Sequence, residues 1–255
     1  MTCKNCGREF QENFCSNCGQ RKISNSRLQL FALIGKFIDD EFDLHRGFFY
    51  TLWQLSYKPG TVARSFIQGM RKRFTAPSRF LIITLAFQAL IDYLSPAKEL
   101  IREYYAYYPS VIPEHLYDNM QYYNYLLGTE YALSVNVVQL LLFPIAFKIF
   151  FRKLKYNYTE LLVVSFYFIS IALIFNIIFS FIMRHVFGIY LSGNFITLLM
   201  IAIMSWAYIS FFEDDRPFLR VIKVLGALTL IVLFRVYMVP FLLSFFFPVS
   251  TDGLI

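Results

Sequence analysis

Past Cys18 the chain has no cysteine, so its four thiols are all Cys3, Cys6, Cys15 and Cys18. A disulfide framework across the protein is thereby excluded. Charge is also scarce: 16% of the 255 residues are charged and 57% are hydrophobic, where soluble domains carry about a quarter charged residues. The three histidines, His45, His115 and His185, are scattered without metal-binding spacing. His-Glu-x-x-His, P-loop and Gly-x-Ser-x-Gly motifs are all missing. These absences remove the recognisable hydrolase and nucleotide-binding chemistries, and the expectation is that the protein is not an enzyme. Residues 1–26 are polar and hold no apolar stretch of the signal-peptide kind, so the N-terminus is expected to be retained.

The apolar residues are concentrated in five long runs, 79–95, 131–151, 161–183, 195–212 and 219–247. A membrane-spanning helix needs about 20 residues, with a range of about 17–25. The first run is short and contains Gln88 and Asp92. The last is long, with Pro240 near its far end, and Pro144 is expected to bend the second. Basic residues alternate along the chain in a way that fits five spans. Twelve of the 24 Lys and Arg precede the first run, and Lys98 and Arg102 after it are outweighed by Glu99, Glu103, Glu114, Asp118 and Glu130. Arg152, Lys153 and Lys155 then follow the second run, Arg184 alone follows the third, Arg216, Arg220 and Lys223 lie around the fourth connection, and none follows the fifth. Positive charge stays inside, so the expected topology has a cytoplasmic N-terminus and a periplasmic C-terminus in a bacterial inner membrane. Loop 96–130 is rich in Tyr, including Tyr104, Tyr105, Tyr122 and Tyr123. Tyr favours the headgroup level, so this loop reads as an interfacial helix pair or an aromatic binding surface.

The polar N-terminus carries Cys3-Lys4-Asn5-Cys6-Gly7 and Cys15-Ser16-Asn17-Cys18-Gly19. Two Cys-x-x-Cys-Gly knuckles supply the four thiolates of a closed tetrahedral zinc site. Gly7 and Gly19 allow the turn after each knuckle, where positive φ is often needed. Phe10 and Phe14 could cover the metal. A disulfide pair does not suit the reducing cytoplasm, a thioredoxin motif would need a βαβ context, and iron has the same ligands available. Structural Zn2+ is the expected cofactor, which makes residues 1–26 a four-cysteine zinc-ribbon module. Arg21 and Lys22 follow it without the dense basic and aromatic interleaving of a nucleic-acid platform, so nucleic acid is not an expected partner.

Residues 27–78 contain no run long enough to span and are expected to form cytoplasmic amphipathic or interfacial helices. Leu30, Phe31, Ile34, Phe37 and Ile38 recur at helical spacing after a Ser26 cap. An acidic stretch, 39–43, follows. A second helix is expected near 47–56 and a third from Thr61 to about Arg73, with Lys58-Pro59-Gly60 as the break between them. Arg71, Lys72, Arg73 and Arg79 would contact anionic lipid or a soluble anion at the cytoplasmic headgroup layer.

The two knuckles, then Asp43-Leu44-His45-Arg46-Gly47-Phe48-Phe49, Lys58-Pro59-Gly60, Gly69-Met70-Arg71-Lys72-Arg73-Phe74 and Pro77-Ser78-Arg79-Phe80-Leu81, occur in an order that resembles a bacterial family of unknown function, DUF3667, found largely in Bacteroidetes. The resemblance covers residues 1 to about 95. It implies a multi-pass membrane protein with an N-terminal zinc ribbon and adds no mechanism.

The expected architecture is therefore an all-α integral membrane bundle of about five spans over residues 79–255, with the ribbon and cytoplasmic helices before it. Asp92 and Arg235 are the notable charges inside the runs. Either one alone in lipid would cost about 2.5–3.5 kcal/mol or more, so they are expected to pair or share a wet cavity. Gln88, Asn136, Gln139 and Asn176 are the neutral polar residues there, fitting hydrogen bonds between helices or a polar path. Three functions remain open. One is a membrane scaffold or regulator whose ribbon docks a cytoplasmic protein partner, alone or as a homo-oligomer. The second is a channel or transporter of a small solute or lipid. The third is a membrane-perturbing effector or accessory protein of a defence or stress system.

Overall fold

The computed structural model describes residues 2–20, 22, 47–94, 119–120, 122–124, 126–127, 131–151, 155–189, 191, 193–213 and 216–247. The helix expected over 27–38, the acidic stretch and most of the Tyr-rich loop lie outside the described residues. So do the side chains of Asp92 and Asn136. Eight α-helices are described: α1 (Gly47–Tyr57), α2 (Pro59–Ile67), α3 (Pro77–Leu94), α4 (Ala132–Phe150), α5 (Tyr158–Phe187), α6 (Gly193–Phe211), α7 (Pro217–Leu233) and α8 (Val239–Phe246). A π-turn, Phe234–Met238, joins α7 to α8. Among the described residues, pairing of the strand type is confined to isolated bridges such as Thr2 with Glu9.

Two helices, Tyr158–Phe187 and the continuous Pro217–Phe246, are long and apolar enough to cross a membrane, with mean hydropathies of 2.6 and 2.1. Pro77–Ile91, Val138–Phe150 and Phe195–Phe211 are shorter apolar helices. Helix α5 starts before the apolar run because Asn157 and Glu160 form a reciprocal capping box: Glu160 N–H donates to Asn157 Oδ1 at 2.7 Å and Asn157 N–H to Glu160 Oε2 at 2.8 Å. This box accounts for the buried Glu160 carboxylate. Gly188 ends the helix at φ 67°. Pro240 follows the π-turn inside the continuous helix Pro217–Phe246. Proline lacks an N–H and crowds the carbonyl four residues back; the preceding π-turn widens the ladder instead, with Val239 N–H donating to Phe234 O, and the helix continues.

Helix α5 lies at the centre, against α3, α4, α6 and the α1–α2 pair. Its buried face meets Tyr208 of α6, whose ring stands 3.9 Å from Phe147 of α4 and 4.9 Å from Phe168 of α5. The buried Tyr208 hydroxyl lies 2.8 Å from Ser165 Oγ, which itself donates to Leu161 O. An interior phenol therefore keeps a hydrogen-bond partner.

The segment 47–75 departs from expectation in two respects. Helix α2 begins at Pro59 with Lys58 as N-cap, so only Lys58 forms the break. It stops at Ile67 instead of continuing to Arg73, because Gly69 takes φ 110° while Gly69 N–H donates to Phe66 O and Met70 N–H to Ser65 O. That left-handed closure satisfies the last carbonyls. In addition, Leu55, Val62, Ala63, Phe66 and Ile67 are buried in the same core as Phe80, Tyr167 and Phe211. Residues 47–75 thus pack as part of the bundle, and no packing boundary falls at residue 78.

Candidate metal centre

The two knuckles repeat one hydrogen-bond pattern twelve residues apart. Cys3 N–H donates to Arg8 O and Gly7 N–H to Cys3 O; Cys15 N–H donates to Gln20 O and Gly19 N–H to Cys15 O. Gly7 and Gly19 adopt φ of 77° and 67°, the left-handed turn expected from their place after each Cys pair. The pattern brings the four Sγ atoms within 4.8 Å of one another. The Cys3–Cys18 and Cys6–Cys15 sulfurs are 3.5 and 3.6 Å apart. A tetrahedron with metal–sulfur bonds of about 2.3 Å has edges of about 3.8 Å, so the cluster could hold one metal ion with little adjustment.

Electrostatics sort the thiols. The Arg8 backbone N–H, then the Asn17 side chain, hold the Cys6 thiol down to about 6. Desolvation pushes the Cys18 thiol up to about 11. Crowded thiols without metal cannot all ionise together; a divalent cation would supply the missing positive charge. Phe10 is buried against Cys3 and Cys15, as expected for a cover. Phe14 is not: it stands 57% exposed. Of the two rings, Phe10 packs with the cysteines.

The module rests on the rest of the protein through a residue to which no role was assigned from the sequence. Gln20, buried, accepts a hydrogen bond at 3.1 Å from the Lys72 backbone N–H. Lys72 follows Arg71, whose guanidinium lies 5.9 Å from the Phe66 ring and is held below its ordinary pKa by burial. Arg73 Nε donates to the Tyr50 hydroxyl at 2.7 Å and stacks near Tyr50 and Phe74. Arg79 is half-buried in the first turn of α3. The four cations expected at an anion-binding layer are therefore not equivalent. Arg71 and Arg73 brace the α2–α3 loop with aromatic contacts, and Lys72, though exposed, runs its side chain alongside Gly19 of the ribbon.

Arg64 is the second unassigned residue. Its Nη1 donates to the terminal carbonyls of α6, Ser210 O at 2.6 Å and Phe211 O at 2.9 Å, and its Nη2 pairs with Glu213 at 2.7 Å. A cation at a helix C-terminus meets both orphan carbonyls and the negative end of the dipole. The sequence signal was available: Arg64 lies among Val62, Ala63, Phe66 and Ile67, a charge beside an apolar helix face.

Among the polar residues of the apolar runs, Arg235 Nη1 donates to Gln139 Oε1 at 3.3 Å. Gly226 lies against Phe150, so Arg235 and Gln139 stand about 14 and 16 Å further along their antiparallel helices. The pairing of Arg235 with Asp92 lies outside the described residues, as does the role of Asn136. Gln88 lies half-buried on α3, and Asn176 Oδ1 accepts from Ser180 within α5.

No curated protein and no solved structure matches the chain. Residues 45–88 match a family model described as protein of unknown function, DUF3667. That stretch contains α1, α2, the Arg71–Arg73 loop and the first two-thirds of α3, all packed on the central helix. The chain thus carries the DUF3667 signature over residues 45–88, on an all-helical body whose N-terminus clusters four cysteines able to bind a metal.

Proposed function

We propose that the chain is a non-enzymatic, multi-pass protein of the bacterial cytoplasmic membrane, a scaffold or regulator whose cytoplasmic ribbon holds structural zinc and docks a protein partner. The membrane part of the reading is supported by surface chemistry. Helix Pro217–Phe246 is apolar yet only 22% of its most apolar window is buried. It leaves Phe218, Ile222, Leu225, Leu233, Phe241 and Phe245 exposed, a larger apolar surface than water tolerates on a monomer. Five apolar helices with the charge alternation described above support a cytoplasmic N-terminus. At the other end, the Tyr123 hydroxyl donates to Phe247 O at 2.6 Å, consistent with a shared periplasmic side. Zinc is favoured by four thiolates in tetrahedral spacing in a reducing compartment.

The observation that carries the docking role is the seating of the ribbon. Gln20 ties one side of it to the bundle, while Phe14, the one strongly exposed large apolar side chain among the ribbon's described residues, is left outward. An aromatic side chain exposed on a rigid polar module is the kind of anchor that protein interfaces use. The experiment is co-purification from the native host with three forms of the full chain. A soluble partner retained by the wild type should be lost with Cys3→Ser plus Cys6→Ser, and also with Phe14→Ala, which keeps its zinc. Equal recovery with all three would remove the docking role.

The π-turn favours a second reading, a channel or transporter. It places Arg235 against Gln139 at mid-helix depth, and π-turns recur at functional sites. Solute flux into liposomes that disappears in Arg235→Gln would support it; absence of flux for cations, anions and neutral solutes would not.

A further inference from the structure

We propose that the groove between α1 and α6 binds one anionic phospholipid of the cytoplasmic leaflet, with its phosphate at Lys58 and an acyl chain along Trp206 towards Ala202. The inference rests on the membrane reading above and adds a specific site to it.

The groove has a volume of about 320 Å³ and is lined by Ser56, Phe175, Ala202, Ile203 and Trp206. Apart from the Ser56 hydroxyl, which donates to Leu52 O at 2.9 Å, and the indole N–H of Trp206, its walls are apolar. It therefore suits a hydrocarbon chain and offers a polar solute few hydrogen bonds. Its rim is set by α1. At about 100° per residue, Phe49, Trp53, Ser56 and Tyr57 share one arc of that helix. The three aromatic residues of the arc are 80%, 73% and 72% exposed, while Thr51 and Leu55 on the opposite side are buried. The face of α1 turned away from the core is thus its aromatic one, the reverse of a helix washed by water. Trp and Tyr are the residues of the membrane–water boundary.

Direction gives the site its polarity. Gly60 packs on the last turn of α6, with its N–H donating to Ser210 Oγ at 3.0 Å. Lys58, two residues earlier, therefore lies near the end of α6 that the charge pattern assigns to the cytoplasm. Trp206, Ile203 and Ala202 are about 6, 10 and 12 Å further in along α6. A cation at the rim and an apolar slot running inward match the layout of one phospholipid. Lys58 is exposed, lies 5.3 Å from the Tyr57 ring, and has no ion pair among the described residues.

The chain has two tryptophans, Trp206 in the groove wall and Trp53 on the exposed arc of α1. In a Trp53→Phe background the emission reports Trp206 alone. The full chain is reconstituted in vesicles of phosphatidylcholine containing a minor fraction of chain-brominated phosphatidylglycerol or, at equal bromine, chain-brominated phosphatidylcholine. Selective occupancy predicts quenching of Trp206 by the anionic lipid with an apparent affinity about fivefold higher, the increment of one lysine near an anionic headgroup. Lys58→Glu should level the two lipids, and so should Ala202→Phe, which fills the slot without moving charge. Both variants must retain one zinc per chain and wild-type helicity; Lys58→Gln serves if Lys58→Glu does not. Equal quenching by the two lipids in the Trp53→Phe protein overturns the lipid site and leaves the membrane reading standing. Quenching by neither overturns the membrane reading of this face as well.

Discussion

Replacing Gly60 with alanine tests the close approach of α2 to the last turn of α6. On helix propensity alone the change should stabilise α2 by about 0.5–1 kcal/mol, since glycine loses more backbone entropy on folding. The structure reverses that sign. A Cβ on Gly60 would overlap the carbonyl of Ser210 and come within 2.7 Å of Phe211 N. These are backbone atoms at the end of α6 and cannot swing aside. Carbon–oxygen contacts close at about 3.3 Å, so α2 and α6 must part by about 1 Å. That shift lengthens the bond from Gly60 N–H to Ser210 Oγ and both bonds from Arg64 to the Ser210 and Phe211 carbonyls. Overpacking costs about 1–3 kcal/mol and a weakened hydrogen bond about 1 kcal/mol. Set against the propensity gain, the net is a loss of about 1–3.5 kcal/mol. In a protein of this size that lowers the thermal midpoint by about 2–14 °C, measured on the purified full chain in one detergent. Gly226→Ala is the control. Its Cβ would meet Phe150 Cε1 at 2.5 Å, the edge of a half-buried ring that can turn, so a smaller drop is expected. A midpoint for Gly60→Ala at or above wild type would refute the argued packing of α2 on α6.

Arg64→Ala should destabilise by about 2–4 kcal/mol, because two charge-assisted bonds to the α6 terminus are lost. Glu213→Gln should cost under about 1 kcal/mol, since that carboxylate is mostly exposed; equal denaturation midpoints for the two variants would contradict this ranking. Gln20→Ala should leave metal binding by the four cysteines intact while the Lys72 amide exchanges hydrogen about fivefold faster, the release of one hydrogen bond of about 1 kcal/mol; unchanged exchange would mean the ribbon does not rest on that loop. Stripped of metal at pH 7, the chain should be alkylated first at Cys6, which is exposed and whose thiolate predominates above about pH 6, and late at Cys18, held up to about 11. Peptide mapping of the labelled protein reads the order, and Cys18 reacting first would count against the geometry. Asp92→Arg combined with Arg235→Asp should restore folding lost in either single variant, and failure of rescue in a detergent-stability assay would separate the two charges.

Much of this protein was legible from local spacing. The Cys-x-x-Cys-Gly repeats specified the cysteine cluster and the left-handed glycines, because both depend on a few consecutive residues. The apolar runs located the two long and three shorter apolar helices among the described residues, since a hydrophobic stretch of that length has few alternatives to a helix. Their ends needed local chemistry that apolarity does not report, such as the Asn157–Glu160 box at the start of α5. The sequence by itself could not decide what lies beside what. The same Val62, Ala63, Phe66 and Ile67 stripe fits a helix on a membrane surface or one inside a bundle. Only the tertiary structure showed it buried, because Gly60 lets two backbones touch across 150 residues of sequence. Likewise Arg64, Gln20 and the Phe49–Trp53–Tyr57 face acquired roles only through distant partners, or through having the core at their backs. Composition and period follow from the chain alone; close approach between remote segments depends on shape, and shape exists only in the folded protein.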